Sequence, residues 1–164
     1  LLEQLSNYAD YHRSIRNIAT HLVGIPLIVL ALFVLLSRPI WTIGGFYISP
    51  ALLVAFASVL YYLRLNVGMG LIMGALYFLG LMFGASVAAL DDNTWLAVGV
   101  GGFLVGWVIQ FVGHYFEGRK PAFFDDVIGL AIGPLFVVAE ILFKLGAYAE
   151  LKQQIEERSG PVRP

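Results

Sequence analysis

Val127-Ile128-Gly129-Leu130-Ala131-Ile132-Gly133-Pro134-Leu135-Phe136-Val137-Val138-Ala139-Glu140-Ile141-Leu142-Phe143 is apolar enough for a membrane span, yet Gly133-Pro134 cuts it and Glu140 charges its second half. A span needs about 20 mostly apolar residues. Four earlier runs meet or approach this: Asn17–Leu36, Phe46–Leu63, Gly68–Leu90 and Trp95–Phe116. Whether the Val127 run is a fifth span decides the fold, and cationic residues arbitrate, because they concentrate on the cytosolic side. With four spans, nine of the ten Lys and Arg residues share one side, and only Arg38 is opposite. With five, Lys144, Lys152, Arg158 and Arg163 cross over and the split is five to five. The asymmetric solution predicts four spans, both termini cytosolic, and a last run that breaks at Gly133-Pro134 and lies within or under the cytosolic leaflet. Proline removes a backbone donor and clashes with the preceding turn, which motivates the break.

The fold expected is therefore an all-α polytopic membrane bundle forming one domain over residues 1–164. Residues 1–16 form an interfacial N-terminal helix, 17–116 the four spans, and 117–164 a cytosolic-side loop, a broken helix and a frayed tail. Composition agrees: hydrophobic residues are 59% and charged residues 13%, about half the charged share of a soluble domain. Ser37-Arg38-Pro39 stops the first span, Arg64-Leu65-Asn66 turns between the second and third, and Asp91-Asp92-Asn93 separates the third and fourth. The polar, aromatic first sixteen residues do not read as a cleavable signal peptide. With no cysteine, thiol catalysis and disulfides are excluded, and a net charge of −1 gives no reason to expect a nucleic-acid partner.

All three histidines fall in two polar clusters, Tyr8–His21 and Gln110–Pro121. Span counting brings both clusters to the same cytosolic depth. On one continuous helix His12 and His21, nine positions apart, would face about 180° away from each other. Ser14 suits a helix N-cap, so a break there is expected, with Leu2–His12 as the short helix and Ile15 as the start of the span. Asn17 and His21 then share a face, and His12 can fold over it. In the second cluster Gln110, His114 and Glu117 make one polar stripe along a helix. Histidine with a nearby carboxylate suits iron, zinc or manganese; the plainer reading is a set of hydrogen-bonded interface anchors. Glu117 is expected as a fourth ligand or as the partner of a ligand histidine. Glu140 can pair with Lys144 one turn on or turn toward the site. Arg119, Lys120, Arg13 and Arg16 flank the membrane and can hold a carboxylate headgroup. The glycine pairs Gly70/Gly74, Gly80/Gly84 and Gly102/Gly106 are read as close helix packing.

On "YHRSIRNIATHLVGIPL" (11–27), "QFVGHYFEGRKPA" (110–122) and "GPLFVVAE" (133–140) the chain resembles the DUF962, or Mpo1-like, family, in the same order along nearly its whole length. The resemblance implies a four-span membrane enzyme: an iron(II)-dependent dioxygenase that removes one carbon from 2-hydroxy fatty acids by α-oxidation. It implies Fe(2+) held by His12, His21 and His114. Asn17, Gln110, Glu117 and Glu140 are then candidates for catalytic support, and Arg16, Arg119 and Lys120 for binding the substrate carboxylate. Partners would be a 2-hydroxy long-chain fatty acid, dioxygen, the lipid bilayer of a bacterial inner membrane or endoplasmic reticulum, and a second copy of the chain. Three histidines are too few for a histidine-rich di-iron cluster, so one metal is expected. The competing readings are a small transporter for ions or acids, because intramembrane polar groups and a Gly-Pro-broken helix are transporter features, and a structural membrane protein.

Overall fold

The computed structural model describes residues 1–121 and 128–164; Val127, the first residue of the last apolar run, lies outside them. Seven helices and one hairpin follow in order: α1 (Leu2–Ala9), α2 (Ile15–Ser37), β1 (Trp41–Ile43), β2 (Phe46–Ile48), α3 (Pro50–Leu65), α4 (Val67–Ala88), α5 (Asp92–Glu117), α6 (Gly129–Lys144) and α7 (Ala149–Ser159). Three of them, α2, α4 and α5, are long and apolar enough to cross a membrane. The 16-residue α3 is about 24 Å long at 1.5 Å per residue, short of a typical ~30 Å hydrocarbon core. Helices α6 and α7 count as a further span only if the bent pair is taken as one.

The contacts divide the chain into two compact units, Pro26–Gly106 and Leu1–Ile25 with Trp107–Pro164. In the first, the all-α expectation needs correction. Phe46, expected to open the second span, lies in an antiparallel hairpin that pairs Trp41 with Ile48 and Ile43 with Phe46. The two-residue turn is Gly44-Gly45, both at positive φ, a geometry glycine adopts without steric cost and that matches strand twist. Helix α3 starts after it because Ser49 accepts from the Leu52 N–H and Pro50 occupies the first helical position, where proline's missing donor costs nothing. Asn66 then closes α3 and caps α4 through the Met69 N–H.

The glycine pairs do pack helices. A Cβ on Gly70 would sit 2.7 Å from the Leu63 backbone, and one on Gly84 2.7 Å from the Phe33 backbone. Asp91 caps α5 through Thr94, and Arg38 pairs with Asp92 at 2.5 Å. Helix α5 contains one π-helical stretch, Ala97–Gly101. Most large side chains on the outer faces of α3, α4 and α5 are apolar and exposed, among them Phe56, Leu71, Phe78, Leu79, Leu104 and Val108. Such a surface is suited to lipid rather than water.

In the second unit α1 lies against α6 and α7, around a core of Leu5, Ala9, Ile132, Leu135, Phe136 and Ile155. The expected break at Gly133-Pro134 is not there. Helix α6 runs through it without interruption, and the chain bends by 117° only between α6 and α7. Pro134 is the sixth residue of α6, so its missing N–H affects one early bond, to the carbonyl of Leu130, an exposed residue. Gly133 holds the helix close to its neighbours: a Cβ there would meet the Tyr8 hydroxyl at 3.0 Å and Ile25 at 3.1 Å. The turn instead uses Gly146 and Tyr148, both at positive φ. Nor is the C-terminal segment a frayed tail. The Arg163 N–H donates to the Arg13 carbonyl at 2.7 Å, and the Arg163 carbonyl accepts from Ile15 at 2.8 Å.

Candidate metal centre

The chain does break between the first two histidines. Helix α1 ends at Ala9, three residues before the expected end, and α2 starts at Ile15. Residues 10–14 turn His12 back over the first turns of α2. Its ring stacks on Tyr8 with centroids 4.1 Å apart, and its Nδ1–H donates to the Tyr8 carbonyl at 2.6 Å. His21, on α2, donates its Nδ1–H to the Asn17 carbonyl at 2.9 Å. His114, near the end of α5, brings its ring centroid to 4.9 Å from both of the others. All three side chains are buried.

These hydrogen bonds fix the protons. A neutral imidazole carries one N–H. With both Nδ1 atoms donating to backbone carbonyls, the Nε2 atoms of His12 and His21 carry lone pairs, and they face each other at 3.0 Å. Two lone pairs at that distance repel unless a cation lies between them. A proton is a poor candidate, because burial, and next the charge that His21 would carry, hold His12 well below its ordinary pKa. His114 Nδ1 is buried with no hydrogen-bond partner among the described residues. One ring nitrogen from each histidine lies within 4.8 Å of the other two. Three neutral imidazole donors, two with backbone partners on the far nitrogen, fit a first-row divalent metal.

Glu117 is held by residues far from it in sequence. Its Oε2 accepts from the Ser14 N–H at 2.8 Å and from Asn17 Nδ2 at 3.0 Å, and its Oε1 pairs with the Arg163 guanidinium at 2.6 Å. It lies outside the three-histidine group and ties the residues before α2, the first turn of α2 and the C-terminal segment together. Because Asn17 also offers its carbonyl to His21, Glu117 reaches a ligand histidine through one intervening residue. Asn17 Oδ1 and Gln110 Nε2 are buried and without hydrogen-bond partners among the described residues.

The charged candidates separate. Glu140 is buried, with Arg13, Lys144 and Lys152 as its cationic neighbours. Arg119 donates to the Asp10 carbonyl at 2.8 Å, Arg16 lies 5.5 Å over the Phe116 ring, and Lys120 is exposed. Two contributors were not legible: Tyr8, whose ring and carbonyl hold His12, and Arg163, which follows the last apolar run and carried no spacing signal.

The sequence matches the family described as "2-hydroxy-palmitic acid dioxygenase Mpo1-like" over residues 1–145. The chain belongs to the Mpo1-like family. It is 32% identical over 160 residues to the 2-hydroxy-palmitic acid dioxygenase MPO1 of Saccharomyces cerevisiae, covering 95% of this chain and 87% of the yeast protein. No solved structure matches. The Mpo1-like match contains the three histidines, Glu117 and Glu140; Arg158 and Arg163 lie beyond it.

Proposed function

We propose that this protein is an iron(II)-dependent dioxygenase that shortens 2-hydroxy fatty acids by one carbon at the cytosolic face of a membrane. The observation that carries this reading is the pair of histidine lone pairs 3.0 Å apart, beside the unpartnered nitrogen of His114. Kinship with a dioxygenase named for 2-hydroxy-palmitic acid supports the substrate class. Iron(II) held by His12, His21 and His114 would supply open positions for dioxygen and for a chelating 2-hydroxy acid. The electron count closes without an organic cofactor. Turning C2 into a carboxyl carbon and releasing C1 as carbon dioxide removes four electrons from the acid, and one dioxygen molecule accepts four.

The protein's own groups complete the site. The Tyr8 and Asn17 carbonyls fix the tautomers and ring orientations of His12 and His21. The buried Asn17 Oδ1 accepts, and the buried Gln110 Nε2 donates, so together they suit the hydroxyl and a carboxyl oxygen of the substrate. Glu117 positions His21 through Asn17. Glu140 balances Arg13 electrostatically, and Arg16, Arg119 and Lys120 form the cationic surroundings that favour an acid. Burial keeps His12 neutral and excludes water. The acyl tail lies along apolar helix surface, with α6 and α7 as a cover on the cytosolic side.

The deciding experiment is metal analysis of the protein purified under anaerobic conditions, followed by exposure to 2-hydroxypalmitate and labelled dioxygen. About one iron per chain and a labelled acid one carbon shorter are expected. A folded protein that retains no metal and leaves the acid unchanged overturns the proposal.

A further inference from the structure

Next to the histidines, within the same unit, lies a cavity of about 650 Å³. Among the described residues its charged lining is Arg13, Arg119, Arg158 and Arg163 against Asp10 and Glu117: four cations to two anions. Glu117 already serves Arg163, and Arg119 donates to the backbone carbonyl of Asp10. Arg13 is the buried member. Its Nε donates to the Ala9 and His12 carbonyls and its Nη1 to the Gly160 carbonyl, while its Nη2 is buried without a hydrogen-bond partner among the described residues. The guanidinium is fixed on three carbonyls and has the carboxylates of Glu140, Glu156, Glu117 and Asp10 in its surroundings, yet none of them takes the Nη2 donor among the described residues, which leaves that donor for an oxyanion. Guanidinium forks match the two oxygens of a carboxylate.

The neighbouring surface selects the rest of the ligand. Tyr115 and Phe116 immediately precede the cavity wall at Glu117–Arg119; Tyr115 is 83% exposed and Phe116 45%. Phe111, Val112 and Ile15 are exposed as well. An anionic head in the cavity would therefore have apolar surface beside it for a chain.

We propose that this arginine cavity is a fatty-acid carboxylate site, separate from the histidine cluster, that holds the acid head of the substrate before it reaches the metal centre or of the product after it leaves. The assignment rests on the fatty-acid reading above but requires neither metal nor turnover. It also changes the carboxylate-binding set: Arg13 and Arg119 line the cavity, Arg16 and Lys120 do not, and Arg158 and Arg163 join it.

The test measures palmitate binding to the metal-free full chain in neutral detergent. Palmitate lacks the 2-hydroxyl, so it isolates the carboxylate. Arg158→Gln and Arg119→Gln, both at exposed positions, should each raise the palmitate Kd roughly tenfold, as for loss of one charge-assisted hydrogen bond. Arg158→Lys should restore part of it, and hexadecanol should not compete. His114→Gln should leave palmitate binding intact. If the wild-type protein showed no oxygenase activity while arginine-dependent palmitate binding persisted, this site would stand and the catalytic reading alone would fall. Palmitate binding indifferent to both arginine variants, or abolished by His114→Gln in a folded protein, would overturn the site. Inorganic phosphate binding in the cavity without competition from palmitate would overturn it too.

Discussion

At the scale of single residues, the apposed Nε2 atoms of His12 and His21 repel each other unless a cation lies between them. Replacing His12, His21 or His114 by alanine should each reduce bound metal to roughly a tenth or less, since loss of one partner of a ligand alone costs about 10–100-fold; elemental analysis reads this directly. Burial lowers the His12 pKa, so the unfolded chain takes up a proton first. The metal-free protein should therefore be most stable above about pH 6.5, the ordinary histidine value, and lose stability as pH falls below it. Melting temperatures at about pH 7.5 and 5.5 check the sign. Glu117→Gln keeps an acceptor for Ser14 but removes the charge that Arg163 and Asn17 address. It should cost about 10–100-fold in metal affinity with the helical content unchanged; metal affinity equal to wild type would remove Glu117 from any positioning role. The histidines were legible because they are few and sit in polar clusters. The role of Glu117 was not, because its partners Ser14 and Asn17 lie 103 and 100 residues away and local spacing says nothing of them.

At the scale of elements, the site depends on how closely α5 approaches α2. A Cβ on Gly113 would fall inside contact distance of Thr20 Oγ1 and Asn17 Oδ1. Gly113→Ala should thus push apart the segments carrying His21 and His114 and destabilise the fold by about 1–3 kcal/mol, with metal loss exceeding that of a similarly destabilised variant elsewhere. The bend between α6 and α7 makes a second prediction. Gly146 is at φ 81, a conformation that costs residues with a Cβ roughly 1–2 kcal/mol, so Gly146→Ala should lower stability by about that amount in denaturant titration. The sequence reading placed irregular backbone within the last apolar run, at Gly133-Pro134, whereas the bend comes after it, at Gly146 and Tyr148. Proline's penalty is local and small near a helix start, and packing of Gly133 against Tyr8 and Ile25 outweighs it. The Gly44-Gly45 hairpin was overlooked because Phe46–Ile48 is also apolar, and hydropathy does not distinguish a strand from the start of a span.

At the scale of the whole molecule, exposed apolar side chains cover the long helices, and the charge asymmetry predicts a direction for the chain. With no native cysteine, single cysteines report sidedness cleanly. Cysteines at Lys120 and Lys152 should be labelled from the same side of sealed vesicles, and one at Arg38 from the other. Labelling of Lys120 and Lys152 from opposite faces would make the α6–α7 pair a span and remove its role as a cover.

The sequence by itself determined the membrane-length apolar runs, their boundaries at Ser37, Asn66 and Asp91, the clustering of the histidines and the need for a break before α2. Each follows from local rules: transfer of apolar side chains, capping of free amides and helical periodicity. Tertiary structure alone decided where the last segment bends, that Arg163 closes on Glu117, and that Arg13, Arg119, Arg158 and Arg163 surround one cavity. Those outcomes depend on which distant surfaces meet, and a charged side chain near the end of a chain carries no local signal of the partner it will find.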